Sequence, residues 1–260
     1  MGAAPSRVVM SGFGCVVGID VPPVYRDYVR GRLDFGYRDA TEAPQRVWGV
    51  LGSDDSWMVS RDVEPISYVS DPEQALELML GDLELWVAEM APDRVFVHAG
   101  CAVVDGRAIV LPGRTMSGKS SLTAALVRAG AAYYSDEYAV LDEAGLAGPY
   151  PRPLSIRPYD GGPRVRLPVS ELGGMAGSEP VPVGLVAAVR FDPVAGWAIE
   201  PLTRATAVLR LLDNTVAAQS RTAAAIDALD RVTQDAVLLG GTRADADDAA
   251  GRLLEALRSG

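Results

Sequence analysis

The sequence predicts an α/β protein with a mixed β-sheet, and three observations support this class. Apolar runs with strand character alternate with segments of helical period along most of the 260 residues. Two of the runs are joined by an Asp-Gly pair, which is typical of an antiparallel hairpin. At least one strand leads into a helix that must cross the sheet, and a sheet with both kinds of connection is mixed.

The N-terminal part is predicted to be rich in β-strands. Apolar stretches separated by Pro, Gly and Asp clusters lie at residues 13–21, 47–51 and 66–69. A helix with apolar residues three and four apart follows over residues 71–90, with Asp71 as its N-cap. We place a domain boundary after this helix. The prediction is a smaller β-rich region over residues 1–91, a candidate for substrate recognition, and a second domain over residues 92–260.

The second domain is predicted to begin with a hairpin over residues 94–112, whose turn is Asp105-Gly106. Its second strand leads into a Gly-rich loop and a helix at 119–128, which ends near Gly130. A strand at 131–135 comes next. The remaining elements are a Pro- and Arg-rich loop at 150–158, a short helix at 170–172, strands at 184–191 and 197–202, helices at 204–214 and 222–232, a strand at 236–239 and a helix at 247–257.

Composition excludes several classes of protein. With 48% hydrophobic and 22% charged residues, the chain is neither disordered nor collagen-like nor a coiled coil. No apolar run approaches the roughly 20 residues of a membrane-spanning helix, so we expect no membrane association. The two cysteines cannot build a disulfide framework, and no Cys/His cluster has zinc-site spacing. The N-terminus also lacks the pattern of a secretion signal, so we expect a cytoplasmic protein.

The charge distribution narrows the choice of ligand. A formal net charge of -10 argues against nucleic acid as a partner. It does not exclude a small anion, which a local group of backbone N–H donors can bind on an acidic protein. Among the 24 Lys and Arg residues, Lys119 is the only lysine, and His98 is the only histidine. The residues around Lys119 are therefore the first candidates for a functional site.

Lys119 lies in a phosphate-binding motif. Residues 113–120, GRTMSGKS, match the pattern G-x-x-x-x-G-K-[ST] in full, between a predicted strand and a predicted helix. The glycines let the backbone N–H groups turn toward phosphate oxygens, and the lysine reaches the β- and γ-phosphates. The hydroxyl of Ser120 is placed to bind Mg²⁺. The residues predicted to contact the nucleotide are Gly113, Arg114, Thr115, Met116, Ser117, Gly118, Lys119, Ser120 and Ser121.

Further reactive side chains are expected at strand ends beside this loop, where ligand chemistry gathers in α/β sheets. His98 lies in the hairpin that leads to the loop, and it could position or polarise the transferring group. Asp136 and Glu137 end the next strand. Asp136 could accept a proton from an attacking hydroxyl while Glu137 holds the metal, or the two could exchange these roles. The candidate Mg²⁺ ligands are therefore Ser120, Asp136 and Glu137.

Residues 97–142 resemble the catalytic core of the HPr kinase/phosphorylase family, whose fold is akin to that of phosphoenolpyruvate carboxykinase. That family has a strand with His-Gly, a hairpin, a Walker A loop and then Asp-Asp. His98, residues 113–121 and Asp136 fall on those positions, and Glu137 replaces the second Asp. The similarity extends over residues 94–240. It is closest to shorter related proteins, including those of lasso-peptide biosynthesis, which phosphorylate a peptide hydroxyl.

The resemblance implies a mixed-sheet P-loop kinase of the HPr kinase/PEP carboxykinase-like type. It also implies that Arg152 or Arg157, on the Pro-rich loop, contacts the transferred phosphate, since guanidinium groups stabilise its charge. The glycine-rich signature that follows the core in true HPr kinases is not found in this sequence. HPr is therefore disfavoured as the substrate.

The expected function is an ATP- and Mg²⁺-dependent kinase that transfers the γ-phosphate to a Ser/Thr-type hydroxyl of a peptide or protein. Two alternatives stay open: a kinase of a small-molecule alcohol such as an amino acid, a sugar or a natural-product intermediate, and a non-catalytic ATP-binding regulator. A different nucleoside triphosphate, or pyrophosphate, as donor is also open. A homo-oligomer is compatible with the sequence.

Overall fold

The computed structural model describes residues 6–53, 55–114, 116–156, 162 and 165–260. The chain divides into two compact units, Met1–Asp93 and Arg94–Gly260. Within the described residues, six α-helices accompany sheets that contain both parallel and antiparallel strand pairs. The predicted α/β class with a mixed sheet is therefore confirmed.

The N-terminal unit is a six-stranded sheet with the strand order β3-β1-β2-β4-β5-β6. The strands β2 and β4 are parallel, and the other neighbours are antiparallel. Its elements are β1 (Ser6–Gly12), β2 (Cys15–Val21), a 3₁₀ turn (Pro23–Tyr25), α1 (Arg26–Leu33), β3 (Tyr37–Asp39), β4 (Arg46–Ser53), β5 (Ser56–Arg61), β6 (Glu64–Val69) and α2 (Pro72–Met90).

Helix α2 forms the core of this unit together with the sheet. The side chain of Asp71 accepts a hydrogen bond from the N–H of Gln74 at 2.8 Å, so the predicted N-cap is confirmed. The apolar face of α2 packs against strand residues, and the indole N–H of Trp48 donates to Asp82 at 2.7 Å. Met90, at the end of the helix, is 51% exposed and does not share in this core.

Helix α1 was not predicted. Its sequence, RDYVRGRL, carries only two buried residues, Val29 and Leu33, which lie one turn apart. Such a narrow apolar face gives almost no helical period to detect. The helix depends on packing that the local sequence does not specify.

The C-terminal unit contains an eight-stranded sheet in which β11-β10-β7-β8-β14-β16-β15 lie in order and β9 pairs with β7. Its elements are β7 (Arg94–Val104), β8 (Arg107–Pro112), α3 (Lys119–Arg128), β9 (Ala132–Ser135), β10 (Tyr138–Asp142), β11 (Leu146–Gly148), β12 (Leu154–Ile156), β13 (Val165–Leu167), a 3₁₀ turn (Val169–Leu172), β14 (Val181–Phe191), β15 (Ala198–Pro201), α4 (Arg204–Leu212), α5 (Thr222–Val232), β16 (Val237–Arg243) and α6 (Ala246–Ser259).

Helices cover both faces of this sheet. Along β8, Ala108 and Val110 join a cluster that contains residues of α4 and α5, while Ile109 and Leu111 join a cluster that contains residues of α3 and α6. This alternation follows from the two-residue period of a strand. A strand buried on both faces is continuously apolar, as the sequence of β8 shows.

Three neighbouring strands, β8, β14 and β16, are parallel. Their carboxyl ends therefore meet at one edge of the sheet. Strand β8 leads from this edge into the Gly-rich loop, while Phe191 and Arg243 end the other two strands. Across the described ranges, the structure contains no helix that is both long enough and apolar enough to span a membrane.

Candidate phosphate-binding site

The Gly-rich motif forms the connection between β8 and α3, which confirms the predicted strand, loop and helix. The loop starts at Gly113, whose N–H donates to the carbonyl of His98 at 3.2 Å. Within the loop, the N–H of Ser117 donates to the carbonyl of Arg114, also at 3.2 Å. Met116 has a φ of 72°, a strained value for a residue with a side chain. Thr115, also expected to contact nucleotide, lies outside the described residues.

Both motif glycines have little room for a side chain. A Cβ on Gly113 would lie 2.6 Å from the Oγ of Ser117. Gly118 has a φ of 87°, and a Cβ there would lie 2.5 Å from a guanidinium nitrogen of Arg243. Glycine at these positions therefore follows from close contacts and, at Gly118, from a left-handed backbone.

Gly118 is also the N-cap of α3. The first N–H groups of a helix have no partner within the helix, and a glycine N-cap has no side chain to bind them. These N–H groups and the helix dipole together favour an anion. Ser120 and Ser121 lie half-buried in the first turn of this helix. The geometry thus agrees with a phosphate site.

The side chain of Lys119 bends back over the loop. Its ammonium group donates to the carbonyl of Gly113 and, at 2.9 Å, to the carbonyl of Arg114. These bonds keep the positive charge beside the loop. Because the partners are backbone carbonyls, the charge of the ammonium is not neutralised by them.

His98 lies on β7, and Glu137 directly precedes β10, whose first residue Tyr138 is opposite His98 in the antiparallel pair. The Nδ1 of His98 is 3.9 Å from a carboxylate oxygen of Glu137. The imidazole also packs against the ring of Tyr138, with ring centroids 4.7 Å apart. The side chains of His98 and Glu137 are 40% and 55% exposed, so both can meet a ligand.

Burial lowers the pKa of His98 below its ordinary value, and the nearby charge of Lys119 lowers that pKa further. The imidazole is therefore neutral at pH 7. Gly113 connects the two residues, because its N–H donates to the carbonyl of His98 and its carbonyl accepts from the ammonium of Lys119. The structure thus brings together Lys119, His98 and Glu137.

Asp136 has a different environment from Glu137. It is 6% exposed, and its two oxygens accept hydrogen bonds from the hydroxyl of Tyr133 at 2.9 Å and the N–H of Ser155 at 3.1 Å. Burial raises the pKa of the Tyr133 phenol, so this group remains a donor. Asp136 therefore ties β12 to the end of β9, and Glu137 is the acidic side chain that reaches solvent.

The turn between β9 and β10 is fixed by a third side chain. The hydroxyl oxygen of Ser135 accepts hydrogen bonds from the N–H of Glu137 at 3.1 Å and the N–H of Tyr138 at 3.0 Å. Such a serine turn defines the backbone direction at its centre. It places the two consecutive acidic side chains in opposite settings, one buried and one exposed.

Arg152 lies on an aromatic cluster. Its guanidinium is 5.0 Å from the ring centroid of Tyr150, and Tyr150 packs against Phe96 and Tyr138. Since Tyr138 also contacts His98, these rings connect Arg152 with the candidate site. Arg157, the other arginine expected to contact phosphate, lies outside the described residues.

No group of three or more His, Cys, Asp or Glu side chains that could hold a metal ion occurs within the described part of the chain. Mg²⁺ in nucleotide sites takes one or two protein oxygens and completes its shell with phosphate and water. Of the three predicted ligands, Ser120 and Glu137 fit this chemistry. The oxygens of Asp136 already accept hydrogen bonds from the protein.

The sequence did not point to Arg243 and Phe191, which lie behind the loop. Arg243 donates to the carbonyl of Gly118 at 2.7 Å, across 125 positions in the chain. No motif or local period links residues so far apart, so the contact is seen only in the structure.

Comparison of the chain with protein-family models, curated proteins and solved structures finds no match in any of the three. The resemblance to the HPr kinase/phosphorylase family therefore remains a prediction based on motifs.

Proposed function

We propose that the C-terminal unit is an ATP- and Mg²⁺-dependent kinase that transfers the γ-phosphate to a Ser/Thr-type hydroxyl of a peptide or protein. The observation that supports this most strongly is the convergence of Lys119 with His98 and Glu137. A loop that only caps a helix does not need the chain's one lysine beside its one histidine and an exposed carboxylate. A phosphate-transfer site needs a cation, a polar group and a base together.

In this proposal the loop binds the phosphates. The N–H groups at the start of α3 and the ammonium of Lys119 hold the β- and γ-phosphates, and the carbonyl contacts of Lys119 keep its charge in place. Ser120 would hold Mg²⁺, which would neutralise phosphate charge. Most of the rate then comes from positioning and charge stabilisation.

The acceptor hydroxyl is activated by Glu137. Its exposed carboxylate takes the hydroxyl proton as the hydroxyl oxygen bonds to the γ-phosphorus. The bond from that phosphorus to the β,γ-bridging oxygen breaks, and its electron pair leaves with ADP. The neutral imidazole of His98, 3.9 Å from Glu137, can donate one hydrogen bond to the transferring group. Asp136 keeps the turn in place and does not take the proton.

The test is transfer of label from γ-labelled ATP with Mg²⁺ to a pool of Ser/Thr peptides and small alcohols, resolved by mass spectrometry. We expect label on a peptide, lost in Lys119→Met and Glu137→Gln. It should be retained in Glu171→Gln, a matched change at an exposed acidic residue of the same unit. Peptide binding that weakens with salt would agree with an acidic enzyme and a basic acceptor.

The other outcomes separate the alternatives. Label on an amino acid, a sugar or another small alcohol alone would replace the peptide acceptor and keep the chemistry. A wild type that binds ATP but transfers phosphate neither to an acceptor nor to water, with the same ATP affinity in Glu137→Gln, would contradict the kinase and favour a regulator.

A further inference from the structure

A buried arginine lies behind the phosphate-binding loop. Arg243, the last residue of β16, is 2% exposed, and it is the only basic side chain among the buried residues that the structure describes. Burial of a charged group costs free energy unless hydrogen bonds and ring contacts compensate for lost water. The contacts of Arg243 therefore need an explanation.

Three of these contacts lie at the edge of the sheet where the parallel strands end. The guanidinium donates to the carbonyl of Gly118 at 2.7 Å and to the carbonyl of Ala244 at 3.0 Å, and it lies 5.3 Å from the ring centroid of Phe191. Phe191 is opposite Arg243 in the parallel register of β14 and β16. The ring thus holds the planar guanidinium, which only arginine provides.

The same two strands bind consecutive carbonyls of the loop. The N–H of Phe191 donates to the carbonyl of Ser117 at 3.0 Å, next to the bond from Arg243 to the carbonyl of Gly118. The peptide bonds that follow these two carbonyls are trans, like all those in the described ranges. In a trans peptide the N–H points away from the carbonyl, so the N–H groups of Gly118 and Lys119 point away from β14 and β16.

We propose that Arg243 is a positioning residue for phosphate binding. The carbonyl of Gly118 accepts from Arg243 and, at 3.1 Å, from the N–H of Leu122 in α3. By adding a second bond to this carbonyl, Arg243 fixes the direction of the N–H of Lys119 toward the anion that the loop binds. This inference rests on the proposed function only in requiring that the loop binds a phosphate-bearing ligand. Gly118 also takes part, because any side chain there would occupy the position of the guanidinium.

The experiment measures binding of MgADP and of inorganic pyrophosphate to the full chain by calorimetry. We expect Arg243→Met to weaken both by about ten- to hundredfold, the usual effect of losing a hydrogen bond from a charged group. Arg243→Lys, which keeps the charge and can donate from a single nitrogen, should recover part of the loss. The matched control is Arg190→Met on β14, one residue from Phe191, because its side chain is 71% exposed.

Circular dichroism at the binding temperature separates positioning from folding. A folded Arg243→Met protein with affinities within twofold of the wild type would overturn the proposal. A loss of affinity that only follows the unfolded fraction, with no recovery in Arg243→Lys, would also overturn it. If Arg243→Met does not fold, Phe191→Leu and Arg243→Lys provide the test, and each should weaken binding while the fold is kept.

The same data distinguish this inference from the kinase proposal. In one outcome the wild type binds both ligands but transfers no phosphate, and Arg243→Met binds them more weakly. This result would support the positioning role and contradict the kinase. A wild-type protein that binds neither ligand would overturn both.

Discussion

The two units of the chain use charged side chains differently. In the N-terminal unit, ion pairs such as Arg7 with Asp20 at 2.6 Å lie at the surface, where they contribute little to stability. Glu84 is buried there, but it lies within the regular helix α2. In the C-terminal unit, both Asp136 and Arg243 are buried beside irregular segments. Asp136 lies in the turn between β9 and β10 and binds the backbone of β12, and Arg243 binds the backbone carbonyl of Gly118 at the end of the Gly-rich loop.

This difference indicates where the molecule maintains a site. A buried charge that binds loop backbone restricts that loop to one conformation, at a cost in desolvation. A surface pair does not restrict any loop in this way. Among the described residues of the C-terminal unit, the two buried charged side chains lie beside the Gly-rich loop and in the turn of Glu137, which agrees with a preorganised site.

The largest expected effect is the loss of phosphate transfer in Lys119→Met. We expect a decrease of about 10³-fold, because the ammonium stabilises charge on the transferring group. The thermal midpoint should change little, since the bonds of Lys119 end on half-exposed loop backbone. Arg7→Met in the N-terminal unit is the control. Removal of a surface charge there should leave transfer unchanged.

If Lys119→Met transfers phosphate at the wild-type rate, the motif lysine does not have the proposed role. A decrease of similar size in Arg7→Met would show that the contrast between the units is wrong. Label transfer and thermal unfolding should therefore be measured on both proteins.

The two acidic residues of the turn should have opposite effects. Glu137→Gln should lower transfer about 10²-fold or more without changing stability, because it removes the exposed base. Asp136→Asn should lower the free energy of unfolding by about 1–3 kcal/mol, since its amide would place a donor against either the N–H of Ser155 or the hydroxyl of Tyr133. Chemical unfolding and transfer rates on both variants check this. Loss of stability in Glu137→Gln alone would reverse the assignment.

The third prediction compares two glycines of the C-terminal unit. Gly118 and Gly130 have φ values of 87° and 97°, and a Cβ on Gly130 would have no heavy atom within 4 Å. Gly130→Ala should therefore cost about 1 kcal/mol from backbone strain alone. Gly118→Ala should lower the free energy of unfolding by more than this, because its Cβ would lie 2.5 Å from a guanidinium nitrogen of Arg243. It should also weaken nucleotide binding, because the guanidinium would have to move. Equal stability and equal affinity in the two variants would show that the close contact between Gly118 and Arg243 has no effect.

Local sequence patterns predicted much of the fold and the centre of the site. The loop between β8 and α3 follows from a motif with a strand before it and a helix after it. Proximity of His98 and Glu137 to the loop followed from the rule that strand ends meet beside it.

Features that depend on distant contacts were not predicted. Helix α1 lacks a clear period, and Arg243 acts across 125 positions. The sequence also left Asp136 and Glu137 interchangeable, because their difference depends on Tyr133 and Ser155. Burial of one carboxylate and exposure of the next is a property of the folded turn.

We expect the loop and the pair of His98 and Glu137 to form one phosphate-binding site. His98 is the only histidine, so its ring protons can be followed by NMR without assignment of the rest of the chain. In the free protein the pKa of His98 should lie below 6.5, and Lys119→Met should raise it by removing the nearby charge. Binding of MgADP to the wild type should raise it too, since phosphate favours the protonated ring. If the His98 signal and its pKa stay unchanged while MgADP binds, His98 and the loop do not form one site.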